Sequence, residues 1–162
     1  MIKAQMIQAM VEFYGGSTHD VEHFLKVYGY ASTIGKLEGL DEWTQDVLEM
    51  TAIVHDISCP LCREKYGSTN GKNQEWESEA ILRPFLVPFR LPEDMLERIV
   101  FLVCHHHTYD GVDGLDWQIL LEADYLVNAR ESVYSLEAIR TFRENIARTA
   151  AGKQLIDTIY LR

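Results

Sequence analysis

Residues 41–56 of the chain read DEWTQDVLEMTAIVHD. The apolar side chains of this stretch, from Trp43 through Val47 to Val54, recur about every three to four positions, the spacing of a helix that buries one face. Asp41 precedes the first of them, where a short acidic side chain can cap a helix. The stretch ends on a histidine and an aspartate, two residue types that bind metal ions. It therefore predicts an amphipathic helix whose end carries candidate ligands.

Helical spacing continues through most of the remaining sequence. No segment alternates apolar and polar residues for long enough to predict a strand. The other predicted helices are Ile2–Tyr14, Thr18–Leu37, about 73–87, 93–106, 115–131 and 135–150, with a short tail helix after Gly152. The predicted fold class is therefore all-α, a single-domain helical bundle over residues 1–162.

One predicted connection is long. Residues 57–72 are expected to form a loop of about 16 residues, a length that often indicates function. This segment contains a Cys-x-x-Cys pair, Cys59 and Cys62. A structural zinc needs four ligands, and redox motifs of this spacing normally lie in a βαβ setting. We therefore interpret the pair as a feature of the loop rather than as a zinc or redox site.

Composition and charge exclude several classes of partner. Lysine and arginine total 15 against 25 aspartates and glutamates, which gives a formal charge of −10. Such a chain offers no basic footprint for a long nucleic acid or an anionic membrane surface. It has no apolar run of about 18 residues and no secretory signal at its start, and its three cysteines suit a reducing compartment. We expect a cytoplasmic protein, and a homodimer is compatible with the sequence.

The histidines and one aspartate indicate where the chemistry lies. The six histidines are His19 and His23 on one face of a predicted helix, His55 before Asp56, and the consecutive His105, His106 and His107. Asp124 lies in an apolar run, where its charge would be costly to bury unless a cation or a donor compensates it. Imidazoles and carboxylates from separate helices are typical of a divalent metal site, and this mixture favours Fe, Mn, Co, Ni or Zn over Ca.

This ordered set resembles the HD-domain superfamily of metal-dependent phosphohydrolases. The matching segments are His23-Phe24-Leu25-Lys26-Val27, Ala52-Ile53-Val54-His55-Asp56-Ile57 and Leu121-Glu122-Ala123-Asp124-Tyr125-Leu126. The resemblance covers about residues 17–130 and implies a helical bundle around a metal, with C-terminal helices over 135–162 packed on it. The metal ligands that it implies are His23, His55, Asp56 and Asp124.

A second group of residues is similar to a further element of the family. His105 and His106 resemble the His-His pair that holds an additional metal in the cyclic-dinucleotide-cleaving HD-GYP branch. Binuclear members also carry a histidine on the helix after the HD pair, where this chain has Gln74, followed by Glu75 as a substitute oxygen ligand. We therefore expect one divalent transition metal per chain, with Mg²⁺ a further candidate. His105, His106, Gln74 and Glu75 are candidate contacts to a second metal or to phosphate. A polar helix end would also explain the histidine triplet.

The resemblance implies hydrolysis of a small phosphorylated substrate, such as a nucleotide, by a metal-activated water. We assign Asp56 and Lys26 as candidate catalytic residues, Asp56 to orient the water and Lys26 to bind phosphate in place of the family's usual arginine. Arg63, Lys65 and Lys72 are further phosphate candidates, which a solvated basic patch would equally explain.

Two alternatives remain open from the sequence. A few HD-fold proteins, such as inositol oxygenase, use two irons to activate oxygen, and His105 and His106 would permit this chemistry. The chain is also compatible with a nucleotide-binding module that keeps the metal pocket without useful turnover.

Overall fold

The computed structural model describes residues 1–162 as nine α-helices and one 3-10 turn, with no strand. The α-helices are α1 (Ile2–Tyr14), α2 (Thr18–Leu37), α3 (Glu42–Val54), α4 (Cys59–Tyr66), α5 (Gly71–Leu86), α6 (Glu93–Val103), α7 (Leu115–Glu131), α8 (Leu136–Asn145) and α9 (Ala150–Tyr160), and the 3-10 turn is Val87–Phe89. The all-α prediction is confirmed. None of the helices combines the length and hydrophobicity that a membrane span requires.

The starts of α2 and α3 follow from local sequence signals. Asp41 caps α3 by accepting a hydrogen bond from the backbone N–H of Thr44 at 3.0 Å. Ser17 caps α2 in the same way, through the N–H of Asp20. Each cap satisfies a helix-end donor that would otherwise lack a partner. The predicted spans Ile2–Tyr14 and Thr18–Leu37 agree with the structure.

The predicted long loop at residues 57–72 is wrong, because Cys59–Tyr66 form a helix. Pro60 lies in the first turn of α4, where its missing N–H has no intrahelical partner to lose and its fixed φ favours the helix. Gly67 ends α4 with a φ of 67°, a left-handed conformation in which glycine carries no Cβ penalty. Both residues act as helix boundaries rather than as parts of an extended loop.

The C-terminal region also differs from the prediction. The helix expected over 135–150 ends at Asn145, and α9 begins at Ala150 rather than after Gly152. The fully buried Glu122 of α7 explains the break, since its carboxylate accepts hydrogen bonds from the backbone N–H groups of Arg148 and Thr149. A contact from a distant helix therefore fixes this junction.

Helix α7 forms the centre of the bundle. It packs against α2, α3 and α9, and α2 and α3 also pack on each other. All of its residues from Asp116 to Ala129 except Tyr125 and Asn128 are buried, so it shows almost no amphipathic pattern. One buried apolar cluster includes residues from every α-helix except α4. Polar residues of α7 therefore project into the interior, among them Asp124.

Gly152→Ala should destabilise the protein by about 1–3 kcal/mol, because the added methyl group has no room. A Cβ at this position would overlap the carboxylate of Glu122 and lie 2.6 Å from Thr149 Oγ1. Urea unfolding measures the loss. Gly29→Ala is the matched control, since nothing lies within 4 Å of a Cβ there, and alanine should raise stability by up to about 1 kcal/mol. Equal effects of the two substitutions would contradict the packing at α9.

Candidate metal centre

Four parts of the chain deliver polar side chains to one point in the core. His23 comes from the middle of α2, His55 and Asp56 from the turn after α3, and Asp124 from α7. Helix α6 ends at Val103, earlier than predicted, so His106 lies in the following turn and also reaches this point. The side chain of Asp56 is 20% exposed and that of Asp124 is 10% exposed, while the histidines are buried.

The ring nitrogens and carboxylate oxygens lie closer together than such groups tolerate without a proton or cation between them. His23 Nε2 is 3.2 Å from Asp124 Oδ1, 3.3 Å from Asp56 Oδ2 and 3.3 Å from His55 Nε2. His55 Nε2 is 3.5 Å from Asp124 Oδ1. His106 Nε2 is 3.3 Å from Asp56 Oδ1. Asp56 therefore lies at the centre of the cluster.

The other nitrogen of each ring is already engaged. The Nδ1–H of His55 donates to the carbonyl of Ala52 at 2.9 Å, and that of His106 donates to Val103 at 2.6 Å. The Nδ1–H of His23 donates to a carboxylate oxygen of Glu131 at 2.8 Å. A neutral imidazole that donates from Nδ1 carries its lone pair on Nε2.

Three Nε2 lone pairs consequently point at two carboxylates. Such a set consists only of acceptors, which is the arrangement that binds a cation.

The pKa values report the same requirement for positive charge. Burial alone would lower the pKa of His23, but the hydrogen bond to Asp124 and the charge of Asp56 raise it to about 10. Burial raises the pKa of Asp56, while the charge of His55 and the hydrogen bond from His106 hold it well below its usual range. The pKa of Asp124 is likewise lowered, despite burial, by His23 and His55. A cation at this point, whether proton or metal ion, is therefore favoured.

The donor set fits a divalent metal ion. His23, His55 and Asp56 offer ligand atoms that all lie within 4.8 Å of one another, and Asp124 touches the same group. Asp56, His106 and His107 form a second such group that shares Asp56. The buried Nε2 atom of His107 has no hydrogen-bond partner, and that of His106 faces Asp56 Oδ1 at 3.3 Å. Nitrogen and carboxylate ligands of this kind suit first-row transition metals.

A cavity of about 460 Å³ lies over the cluster. Arg63, Gln74 and Tyr109 are among its lining residues, together with His23, Asp56, His107 and Asp124. Arg63 is the only lysine or arginine in the lining, and its guanidinium donates to the carboxylate of Asp20. The Oε1 atom of Gln74 is buried without a partner, while its Nε2 donates to the carbonyl of Thr69. The cavity is therefore polar and connects the cluster with exposed residues.

The histidine triplet divides between two environments. His106 and His107 face the cluster, and burial lowers the pKa of His107 to about 4. His105, which the resemblance pairs with His106, stacks on Phe101 with ring centroids 4.2 Å apart and packs edge-on to Trp117. Its Nδ1–H donates to the carbonyl of Phe101 at 2.7 Å. His105 is thus a packing residue outside the cavity.

Several of the other predicted contacts also lie away from the cavity wall. The carboxylate of Glu75 accepts from the N–H of His107 and the hydroxyl of Thr108, so it holds the turn after α6. Lys65 pairs with Glu77 at 2.5 Å. Lys72 is exposed at the start of α5. These side chains do not line the cavity.

Lys26, the second candidate catalytic residue, also lies outside the cavity lining. Its ammonium group is 2.8 Å from Glu131 Oε1, on the far side of His23 from the cluster. Glu131 was not among the predicted site residues. A signal was available, because Asp124 and Glu131 lie two helical turns apart and share a face of α7. A carboxylate at the end of a buried helix is the feature that would have identified it.

The sequence matches no protein-family model and no curated protein. One solved structure is similar, a predicted HD superfamily hydrolase from an uncultured Thermotogales bacterium. The two share 18% sequence identity over 98% of this chain and 84% of the other, with a TM-score of 0.66.

The chain is thus an all-α bundle with a cluster of histidines and aspartates in its core. Its fold is similar to that of the solved structure described as a predicted HD superfamily hydrolase, which agrees with the fold that the sequence resemblance predicted.

Adjacent histidines should respond differently to replacement. His106→Ala should weaken binding of Mn²⁺ by about tenfold or more, because it removes a nitrogen that faces Asp56. His105→Ala should leave Mn²⁺ binding unchanged and lower stability by about 1 kcal/mol, because it removes ring stacking. Isothermal titration and thermal unfolding measure the two properties. Weaker Mn²⁺ binding in the His105 variant would contradict this division.

Proposed function

We propose that the chain is a metal-dependent phosphohydrolase of the HD superfamily that acts on a small phosphorylated substrate such as a nucleotide. The observation that carries the proposal is the convergence of three imidazole Nε2 atoms on Asp56 and Asp124 at the floor of a polar cavity. The similar solved structure supports it at the level of the class, since that protein is described as a predicted HD superfamily hydrolase.

His23, His55, Asp56 and Asp124 would hold the metal ion, for which Fe, Mn, Co, Ni, Zn and Mg are candidates. A divalent ion, when bound, supplies a Lewis acid for a phosphoryl oxygen and lowers the pKa of a coordinated water. The residues of the chain supply the position and orientation of the ligand atoms. Buried imidazoles and their fixed Nδ1 contacts keep the ligand geometry rigid, which reduces reorganisation during the reaction.

Asp56 is the residue that we assign to orient the attacking water. Its Oδ1 and Oδ2 atoms face different histidines, His106 and His23 respectively, at 3.3 Å each. A carboxylate in this position has lone pairs left to accept a hydrogen bond from water. Its low pKa keeps it ionised and therefore able to accept that hydrogen bond near neutral pH.

Arg63 is the residue that we assign to contact the phosphate. Its side chain is 44% exposed and lines the cavity, while its guanidinium rests on the buried carboxylate of Asp20. A guanidinium has more donors than one carboxylate can use, so it can donate to a phosphate oxygen as well. Asp20 would then hold the arginine in place.

A second candidate function, that of an oxygenase, is supported by one observation. The group formed by Asp56, His106 and His107 could hold a second cation next to the first. Two irons per chain together with consumption of dioxygen would favour an HD-fold oxygenase over a hydrolase. Metal analysis of the purified protein together with an oxygen-uptake assay separates the two, because hydrolysis with no oxygen uptake excludes the oxygenase.

Asp56→Ala should abolish both metal binding and turnover, because it removes the carboxylate that contacts all three histidines. The measurement is metal content by elemental analysis, followed by a panel of phosphomonoesters and phosphodiesters with Mn²⁺, Co²⁺, Ni²⁺, Fe²⁺ and Mg²⁺. Asp110→Ala is the control, since Asp110 is an exposed aspartate in the nearby loop. Full hydrolysis by the Asp56 variant would refute the scheme, as would a wild-type protein that binds a nucleotide for hours without forming product.

Arg63→Met should raise KM for the best substrate of that panel by about 10–100-fold, the equivalent of a charged hydrogen bond worth about 1.5–3 kcal/mol. Lys65→Met is the matched control on the same helix, because Lys65 pairs with Glu77 outside the cavity. Steady-state kinetics at fixed Mn²⁺ give both values. Similar KM values for Lys65→Met, Arg63→Met and wild type would remove Arg63 from the phosphate site.

A further inference from the structure

Glu131 occupies an unusual position for an acidic residue. It is the last residue of α7, and its side chain is only 13% exposed. A negative charge at the C-terminal end of a helix opposes the helix dipole, and burial of a carboxylate is costly as well. Its place in the fold is therefore not explained by helix stability.

The contacts of Glu131 connect it with one side of α2. Its Oε2 atom accepts the Nδ1–H of His23 at 2.8 Å, and its Oε1 atom is 2.8 Å from the ammonium group of Lys26. His19 Nε2 lies 3.9 Å from Oε2. His19, His23 and Lys26 follow the i, i+4, i+7 spacing of one helical face. The carboxylate thus joins a basic face of α2 behind the cluster.

His23 differs from the other two imidazoles in how it is held. The Nδ1–H groups of His55 and His106 donate to backbone carbonyls three residues earlier in their own segments. His23 instead depends on a side chain from another helix. A carboxylate partner at Nδ1 fixes the tautomer and also makes Nε2 a stronger electron donor than a carbonyl partner does.

We propose that Glu131 is a positioning residue that acts through His23. Its carboxylate holds the Nδ1–H so that the Nε2 lone pair faces Asp56 and Asp124, and Lys26 anchors the second carboxylate oxygen. Lys26 therefore acts on the cluster indirectly, through Glu131 and His23, rather than by binding phosphate. The inference rests on the metal centre proposed above, because a fixed Nε2 lone pair matters only where a cation binds.

The test measures binding of Mn²⁺ to the full chain, stripped of metal, by isothermal titration. Glu131→Gln keeps an acceptor oxygen and should weaken binding by about tenfold, whereas Glu131→Ala should weaken it by about 100-fold. Lys26→Met should give a smaller loss than Glu131→Gln. Glu144→Gln, at an exposed acidic residue of α8, is the control and should bind as wild type does.

Thermal unfolding and far-UV circular dichroism of the metal-free variants separate positioning from folding. We expect the metal-free Tm of Glu131→Gln to stay within about 3 °C of wild type, a change of about 1 kcal/mol. Unchanged Mn²⁺ affinity in the Glu131 variants would overturn the inference, and so would an affinity loss that always accompanies loss of helical structure. A wild-type chain that binds no divalent metal at all would instead refute the proposed function.

Discussion

The rest of the structure depends on a cluster of acceptors in an apolar core. Three Nε2 atoms and two carboxylates face one another at 3.2–3.6 Å, and each ring is fixed by its other nitrogen. No donor of the chain lies between them unless a histidine is protonated, so the cluster is held together by a proton or a metal ion. Because these side chains come from α2, α7 and the turns after α3 and α6, a bound cation would stabilise the packing of all these elements.

Helix α7 shows how one buried helix can place several acidic side chains against separate partners. It is buried on nearly all sides, and each of its interior acids has a separate partner: Asp116 pairs with Arg98, Glu122 binds the α8–α9 junction, and Asp124 faces the histidines. Glu131 then holds His23 from the end of the helix. The absence of an amphipathic pattern in α7 is therefore a consequence of burial, with polar residues placed wherever a buried partner needs them.

The sequence predicts what local signals encode. Caps and periodic apolar residues define α2 and α3, and Gly15 ends α1. The order of His23, His55, Asp56 and Asp124 indicates the fold through the family resemblance. Features that depend on distant contacts were not predictable in this way. The α8–α9 break depends on Glu122, and the division between His105 and His106 depends on where α6 ends and on which ring finds Phe101.

The charge of the cavity limits how an anion can bind there. Asp20, Asp56, Asp124 and Glu131 line it against a single guanidinium, that of Arg63. Arg63 neutralises Asp20 and Lys26 neutralises Glu131 from outside, which leaves Asp56 and Asp124 for a bound cation. One divalent ion balances these two charges and gives no net attraction for a phosphate. Under the proposed function, the attraction for a phosphate would then come from the ion itself, from the spare donors of Arg63, or from a second cation held by Asp56, His106 and His107.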